Sequence, residues 1–247
     1  MQQRVPFCRV VVVSPFGHPN AAMALAASRA GGLGIVGLGH DARQNREALK
    51  RLAGAAPGTV GVRIPASLAL DPHDLPPAVG TIIVEAGAAL APHAGRAVLV
   101  EVTSLAEARA AVQAGAAAVI AKGTESGGRV GDETTFVLVQ SLAAHLTVPV
   151  YAQGGVGLYT AAACIAGGAA GVVLDAQVAL ARESTLGAEI KSALSAMDGS
   201  ETALLDGYRV FSRPDLPLRE IAARGVAASL GASDLRRELL PAGQDAA

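Results

Sequence analysis

The chain has 247 residues, of which 51% are hydrophobic and 17% charged, a composition typical of a compact globular protein and not of a disordered one. Its formal net charge is −1, and no basic arm or aromatic-rich segment gives a reason to expect binding to nucleic acid or to an anionic membrane. Cys8 and Cys164 lack the spacing of a metal site, and no stretch is long and apolar enough to predict a transmembrane helix, so we expect a cytoplasmic protein.

Short apolar, β-branched runs recur along the chain with alanine-rich helical stretches between them. The predicted strands are 10–13, 34–36, 59–62, 81–84, 97–100, 118–121, 148–152 and 171–174. The predicted helices are 20–30, 42–53, 104–114, 134–145 and 158–166, with a last helix from Val178 onward. The strands are apolar throughout, as in a parallel sheet that is buried on both faces. Eight such units predict an α/β fold, a (β/α)8 TIM barrel over residues 1–197, with a doubly wound open sheet as the main alternative.

The segment 198–247 has a different character, because loop signals such as Asp198–Gly199–Ser200 and Arg213–Pro214–Asp215 interrupt it. We interpret it as a C-terminal extension or as a linker to a following domain. Short helices are expected at 218–224 and 233–239, and a linker from 241 onward.

Polar residues follow each predicted strand, and in a barrel of this kind the carboxyl ends of the strands form the active site. These residues include Ser14, His18, His40, Arg63, Glu85, Glu101, Lys122, Arg129, Gln153 and Asp175. Opposite charges end neighbouring strands, with Arg63 beside Glu85 and Glu101 beside Lys122. Two interpretations stay open: a polar floor that orients a cofactor, or ion pairs that fill the space a cofactor needs.

Gln153, Gly154 and Gly155 follow the seventh strand and precede a helix. Glycines at this place let backbone N–H groups approach an anion near a helix N-terminus, and loops after strands seven and eight commonly bind phosphate in such barrels. The pattern therefore indicates a phosphate site, with a plain turn as the alternative.

Five segments form a series of motifs over about residues 6–190. They are Ser14–Pro15–Phe16, Ala30 to Gly34, Glu125 to Gly131, Gly154–Gly155–Val156 and Ala181 to Ser184. In this order they resemble the nitronate monooxygenases and the flavin-dependent enoyl-acyl-carrier-protein reductases. Glu125 to Gly131 looks like the family's EAGGHxG loop, and Gly154–Gly155–Val156 matches its phosphate loop.

The resemblance implies FMN at the barrel mouth, and no residue spacing in the sequence predicts a metal site. Ser14, Pro15 and Phe16 would line the isoalloxazine, and Lys122 would lie near the ring. The ribityl and phosphate groups would be held at Gly128, Gln153, Gly154, Gly155, Asp175 and Ala176.

Three positions depart from the family's pattern. Its histidine, a general acid or base, is Arg129, which stays protonated at neutral pH and cannot shuttle protons. Where the family has an asparagine after the third strand, this chain has Arg63. The Gly-Thr pair that receives phosphate after the eighth strand is Asp175–Ala176, where a carboxylate would repel the phosphate.

The roles of the mouth residues therefore stay open. Arg129 is either a ligand for a carboxylate, a phosphopantetheine thioester or a flavin phosphate, or a solvated loop residue. His18 or His40 would replace the missing base, unless both are structural.

Two functions follow from this pattern. The first is an FMN-dependent oxidoreductase, acting on a nitronate or an enoyl thioester. The second is a catalytically degenerate barrel, whose FMN is lost and which serves as a structural or docking module. Asp198 to Glu201 and Tyr208 to Phe211 are similar to stretches of very large polyketide and polyunsaturated fatty-acid synthases, which implies an acyl carrier protein or neighbouring synthase domains as partners.

Overall fold

A computed structural model describes residues 8–246 of the chain. Eight parallel strands close into a barrel in which each strand pairs with the next and the last pairs with the first. They are β1 (Val10–Val13), β2 (Leu33–Gly37), β3 (Val60–Arg63), β4 (Val79–Glu85), β5 (Ala97–Val102), β6 (Ala118–Lys122), β8 (Val150–Gln153) and β9 (Gly171–Leu174), while β7 (Gly128–Arg129) lies outside. The barrel expected from the eight apolar runs is confirmed, and the open sheet is excluded.

Helices cover the barrel and connect its strands. They are α1 (Ala21–Arg29), α2 (Ala42–Leu52), α3 (Leu105–Gln113), α4 (Thr135–His145), α5 (Leu158–Ala166), α6 (Ala188–Ser195) and α7 (Leu218–Ala222). Asn20 and Ser104 cap α1 and α3 by accepting backbone hydrogen bonds from the third residue of each helix. No helix within residues 8–246 is long and apolar enough to cross a membrane.

The helix expected from Val178 onward begins only at Ala188. A 3-10 turn covers Ala176–Val178 instead, and the intervening chain contains Ser184 and Thr185. These side chains favour turns and caps over helix interiors, which explains the late start.

The barrel interior is filled by aliphatic side chains, as the low aromatic content requires. Val11, Ile35, Leu99, Ile120 and Val173 meet there with no exposure to solvent. A larger apolar cluster lies between the strands and the surrounding helices. The rigid barrel therefore holds the carboxyl ends of all eight strands around one mouth.

The segment after α6 folds over that mouth. β10 (Thr202–Leu205) and β11 (Tyr208–Phe211) form an antiparallel hairpin, and β11 also pairs with β7. Downstream, the Phe211 N–H donates to the Leu240 carbonyl, and Leu240 and Ala242 are buried. The helix expected at 233–239 does not form, because the Glu238 carboxylate accepts the Ser233 N–H and holds the segment in turns.

Candidate functional site at the barrel mouth

A cavity of about 510 Å³ opens at the carboxyl ends of the strands, within the range of about 300–1,000 Å³ typical of small-molecule sites. The sequence-predicted residues that line it are Ser14, Phe16, His18, His40, Arg63, Glu85, Glu101, Lys122, Gly128, Arg129, Gln153 and Asp175. Pro15, Gly154, Gly155 and Ala176 lie outside the lining. The C-terminal segment completes the wall with residues such as Tyr208, Leu230 and Pro241.

Arg63 holds two carboxylates at the floor of the cavity. Its Nε and Nη2 lie 2.8 and 2.7 Å from the two oxygens of Glu101, and Nη2 lies 3.2 Å from Glu85 Oε1. Burial alone would raise the pKa of Glu101, but the charges of Arg63 and Lys122 outweigh it and hold that pKa at about 2. Arg63 thus forms ion pairs with both Glu85 and Glu101. The predicted pairing of Glu101 with Lys122 is not what the structure shows.

Lys122 is the cation of this floor that keeps its donors available. Its side chain is buried at the end of β6 and faces the cavity. Within the described residues, its Nζ has no carboxylate close enough for an ion pair, although the charge of Lys122 acts on Glu101. A ligand in the cavity therefore meets one ammonium group with free hydrogen-bonding capacity.

Arg129 occupies the place at which the family resemblance puts a histidine, and its guanidinium is held by a carboxylate. Nη1 and Nη2 lie 2.9 and 3.0 Å from the two oxygens of Glu107 on α3, and Nη1 also lies 3.3 Å from Thr103 Oγ1. The hydrogen bonds to Glu107 raise the pKa of Arg129 further. This bidentate pair fixes the guanidinium and leaves it unable to transfer a proton.

The two histidines at the mouth differ in their surroundings. His18 Nε2 lies 3.0 Å from Thr185 Oγ1, and burial lowers the pKa of His18, so its neutral form dominates at neutral pH. His40 is exposed at the rim. Both remain candidates for a base, but neither adjoins the Arg129–Glu107 pair by a hydrogen bond.

Three backbone N–H groups of the predicted phosphate site lie at the ends of β8 and β9: those of Gly155, Asp175 and Ala176, here called the phosphate cradle. Each already has a side-chain acceptor. The Ala176 N–H donates to its neighbour's Asp175 Oδ1 at 2.7 Å, and the Asp175 N–H donates to Gln177 Oε1 at 2.9 Å. The Gly155 N–H donates to Asp245 Oδ2 at 3.0 Å.

Asp245 reaches this cradle from the C-terminal segment. Its Oδ2 also accepts from Gln177 Nε2 at 2.7 Å, while its Oδ1 is buried without a hydrogen-bond partner. Burial, and then the negative charge of Asp175, raise the pKa of Asp245 to about 7. The negative charge of Glu125 also raises the pKa of Asp245.

The cavity is large enough for a flavin-sized ring, but the cradle does not fit the phosphate of FMN. All three of its N–H groups are engaged, and Asp175 and Asp245 place two acidic groups where a phosphate needs donors. The residues present therefore argue against FMN in its expected position.

Sequence reasoning missed the partners that decide these roles. Glu107, Gln177 and Asp245 were not among the residues that the sequence placed at the site. The Glu107–Arg129 spacing of 22 residues and the Asp245–Gly155 spacing of 90 residues give no periodic signal that local patterns detect.

Comparisons with known proteins place the chain in one family. A family profile described as nitronate monooxygenase matches residues 83–214, more than half of the chain. The chain is also 32% identical over 178 residues to (3aS,4S,5R,7aS)-5-hydroxy-7a-methyl-1-oxo-octahydro-1H-indene-4-carboxyl-CoA dehydrogenase of Rhodococcus jostii. That match covers 66% of this chain and spans only half the length of the relative.

Solved structures show the same fold. FabK from Thermotoga maritima, as a point mutant, is 29% identical with a TM-score of 0.82, covering 97% of this chain and 86% of its own. A nitroalkane oxidase from Streptomyces ansochromogenes is 24% identical with a TM-score of 0.72, covering 95% and 89%. The enoyl reductase domain of MlnA from Bacillus amyloliquefaciens is 15% identical with a TM-score of 0.66, covering 87% and 66%. The chain belongs to the nitronate monooxygenase family of FMN-type oxidoreductases.

Proposed function

We propose that this chain is a catalytically degenerate barrel of its family, which does not carry out flavin chemistry and serves as a docking module of a multidomain synthase. The observation that carries the proposal is the Arg129–Glu107 pair. A bidentate ion pair stands where the family resemblance puts a proton-transferring histidine. An arginine held in this way supplies charge and structure but no acid–base catalysis.

The engaged phosphate cradle supports the same conclusion. A family member that retained FMN would need free donors at the ends of β8 and β9, and here the Gly155, Asp175 and Ala176 N–H groups each have an acceptor from the chain itself. The ionised floor around Arg63 adds a second argument, since it fills part of the mouth with charges that satisfy one another.

The synthase association rests on the C-terminal segment. Its similarity to stretches of large polyketide and polyunsaturated fatty-acid synthases favours an acyl carrier protein or a neighbouring synthase domain as the partner, in the cytoplasm. Titration calorimetry of such a domain with this chain tests the synthase association. If no carrier or synthase domain encoded beside this chain gives a heat of binding, the association is contradicted.

The FMN test addresses the loss of chemistry directly. We expect purified protein to be colourless, and added FMN to leave its thermal midpoint unchanged, because a ligand that binds the folded state must raise that midpoint. Bound flavin together with turnover of a nitronate or an enoyl thioester would overturn the proposal.

One observation favours a second candidate, an FMN-dependent oxidoreductase acting on a nitronate or an enoyl thioester. The cavity is open, has the volume of a small-molecule site and contains the unpaired ammonium of Lys122. Under this alternative, Lys122→Met would abolish turnover of these substrates.

A further inference from the structure

Resting on the proposed function, we propose that Asp245 is a built-in substitute for a phosphate group: its carboxylate fills the phosphate cradle, excludes phosphorylated ligands and holds the C-terminal segment on the barrel mouth. The family places a phosphate at this cradle, so a side chain from the same molecule in that position changes which ligands the mouth can accept.

The hydrogen bonds reproduce those that a phosphate oxygen would receive. Asp245 Oδ2 accepts from the Gly155 N–H at 3.0 Å and from Gln177 Nε2 at 2.7 Å. Gly155 has a φ of 62°, in the left-handed region that favours glycine and turns an N–H outward to bind an anion. The carboxyl group therefore engages two donors that a phosphate oxygen would otherwise engage.

The chain around Asp245 is fixed, so the carboxylate is not a loose end that has fallen into the cradle. The Gln244 N–H donates to the Glu125 carbonyl at 2.9 Å. A Cβ on Gly243 would collide with that same carbonyl, and a Cβ on Gly127 would collide with the Pro241 backbone. These close backbone approaches hold residues 241–246 against the loop after β6.

The charges near the cradle oppose a phosphate even if Asp245 withdraws. Asp175 and Glu125 both act on this position and favour a neutral over a negative group. A phosphate monoester carries between one and two negative charges at neutral pH, more than the single carboxyl that it would displace. The cradle is therefore adapted to the chain's own side chain and not to a phosphate.

The test compares FMN with riboflavin, which differ only by the phosphate, together with inorganic phosphate. In the natural chain, we expect FMN to bind no more tightly than riboflavin, and phosphate to leave the thermal midpoint unchanged. In Asp175→Gly/Asp245→Gly, which removes both carboxylates and so two of the three acceptors from the cradle, we expect FMN to bind at least about tenfold more tightly than riboflavin, equivalent to about 1.4 kcal/mol.

The matched control is Asp175→Gly/Asp215→Gly, which removes an exposed carboxylate of the same segment. It should show no gain for FMN. A preference of the natural chain for FMN, or a folded cradle variant with no such preference, would overturn the proposal.

Hydrogen exchange of the natural chain keeps the test decisive if the variant does not fold. We expect the Gly155 amide to be protected without added ligand, and its exchange rate to be unaffected by phosphate. Rapid exchange that phosphate slows would instead mean that the cradle is free, and the assignment of Asp245 would be wrong.

The outcomes also separate this inference from the proposed function. A yellow, active protein that binds riboflavin as tightly as FMN would contradict the proposed function and leave the role of Asp245 intact. A colourless protein whose cradle variant shows no increase in FMN affinity would agree with the proposed function and contradict the role of Asp245.

Discussion

Arg63 is the residue on which the charge balance of the barrel mouth depends. It neutralises Glu101, whose side chain is only 4% exposed, and it also contacts Glu85. We expect Arg63→Met to lower the free energy of unfolding by about 3–5 kcal/mol, because it leaves a buried carboxylate without its partner. Urea denaturation at neutral pH measures this loss.

The control for Arg63 removes the stranded charge as well. Arg63→Met/Glu101→Gln should recover most of the stability, since the remaining acid, Glu85, is partly exposed. A double variant as unstable as the single one would show that packing of the guanidinium, and not its charge, is what matters.

Asp245 makes the stability of the protein depend on pH in an unusual direction. Its pKa of about 7 lies above the value of about 3.9 expected in the unfolded chain. Between these values the folded state binds more protons than the unfolded state, so this residue makes stability fall as pH rises from about 4 to about 7. Each unit of pKa difference corresponds to about 1.4 kcal/mol.

Asp245→Asn tests this dependence, because the amide oxygen still accepts from Gly155 and Gln177 but does not titrate. We expect the variant to be comparable to the natural chain near pH 4 and more stable above pH 7. Thermal midpoints measured over that range decide the matter, and a constant difference between the two proteins would refute it.

At the scale of elements, the contact of α1 with β2 depends on a glycine. A Cβ on Gly34 would collide with the backbone of Ala24, so the helix could not remain at its distance from the strand. We expect Gly34→Ala to destabilise the fold by about 1–3 kcal/mol, the usual cost of overpacking. Gly54→Ala is the control, because open space surrounds Gly54; equal effects in the two variants would contradict this account.

The strands were predictable from sequence because each is a continuous apolar run between turn residues, and a barrel buried on both faces requires that pattern. The hairpin of β10 and β11 was missed, although it carried a signal. Asp206–Gly207 separates two β-prone runs, and both residues have positive φ, as a tight two-residue hairpin turn requires.

The candidate site was predictable only in its location. The carboxyl ends of parallel strands necessarily converge, so residues such as Lys122 and Gln153 could be placed at the mouth from sequence. The partners could not, because Glu107 on α3 and Asp245 reach their partners through tertiary packing. A local sequence pattern does not indicate such a contact.

For the whole molecule, the C-terminal segment and the barrel share one apolar cluster. Phe16 at the end of β1 packs in it with Phe211 of the hairpin and Leu240. Phe16 has a φ of 62°, a costly conformation for a bulky residue, which the surrounding contacts must maintain. The C-terminal segment thus belongs to the same core as the barrel, and we expect the two to fold together.

Phe211→Ala tests this shared core. Phe211 is 1% exposed, and we expect its truncation to cost about 3–5 kcal/mol and to lower the single thermal transition of the whole protein. Leu204→Ala, on the same hairpin but 53% exposed, should have little effect. If the segment instead folded on its own, Phe211→Ala would split the transition and leave the barrel's midpoint unchanged. Calorimetry distinguishes the two results, because only a shared core makes a substitution in the hairpin destabilise strands that it does not touch.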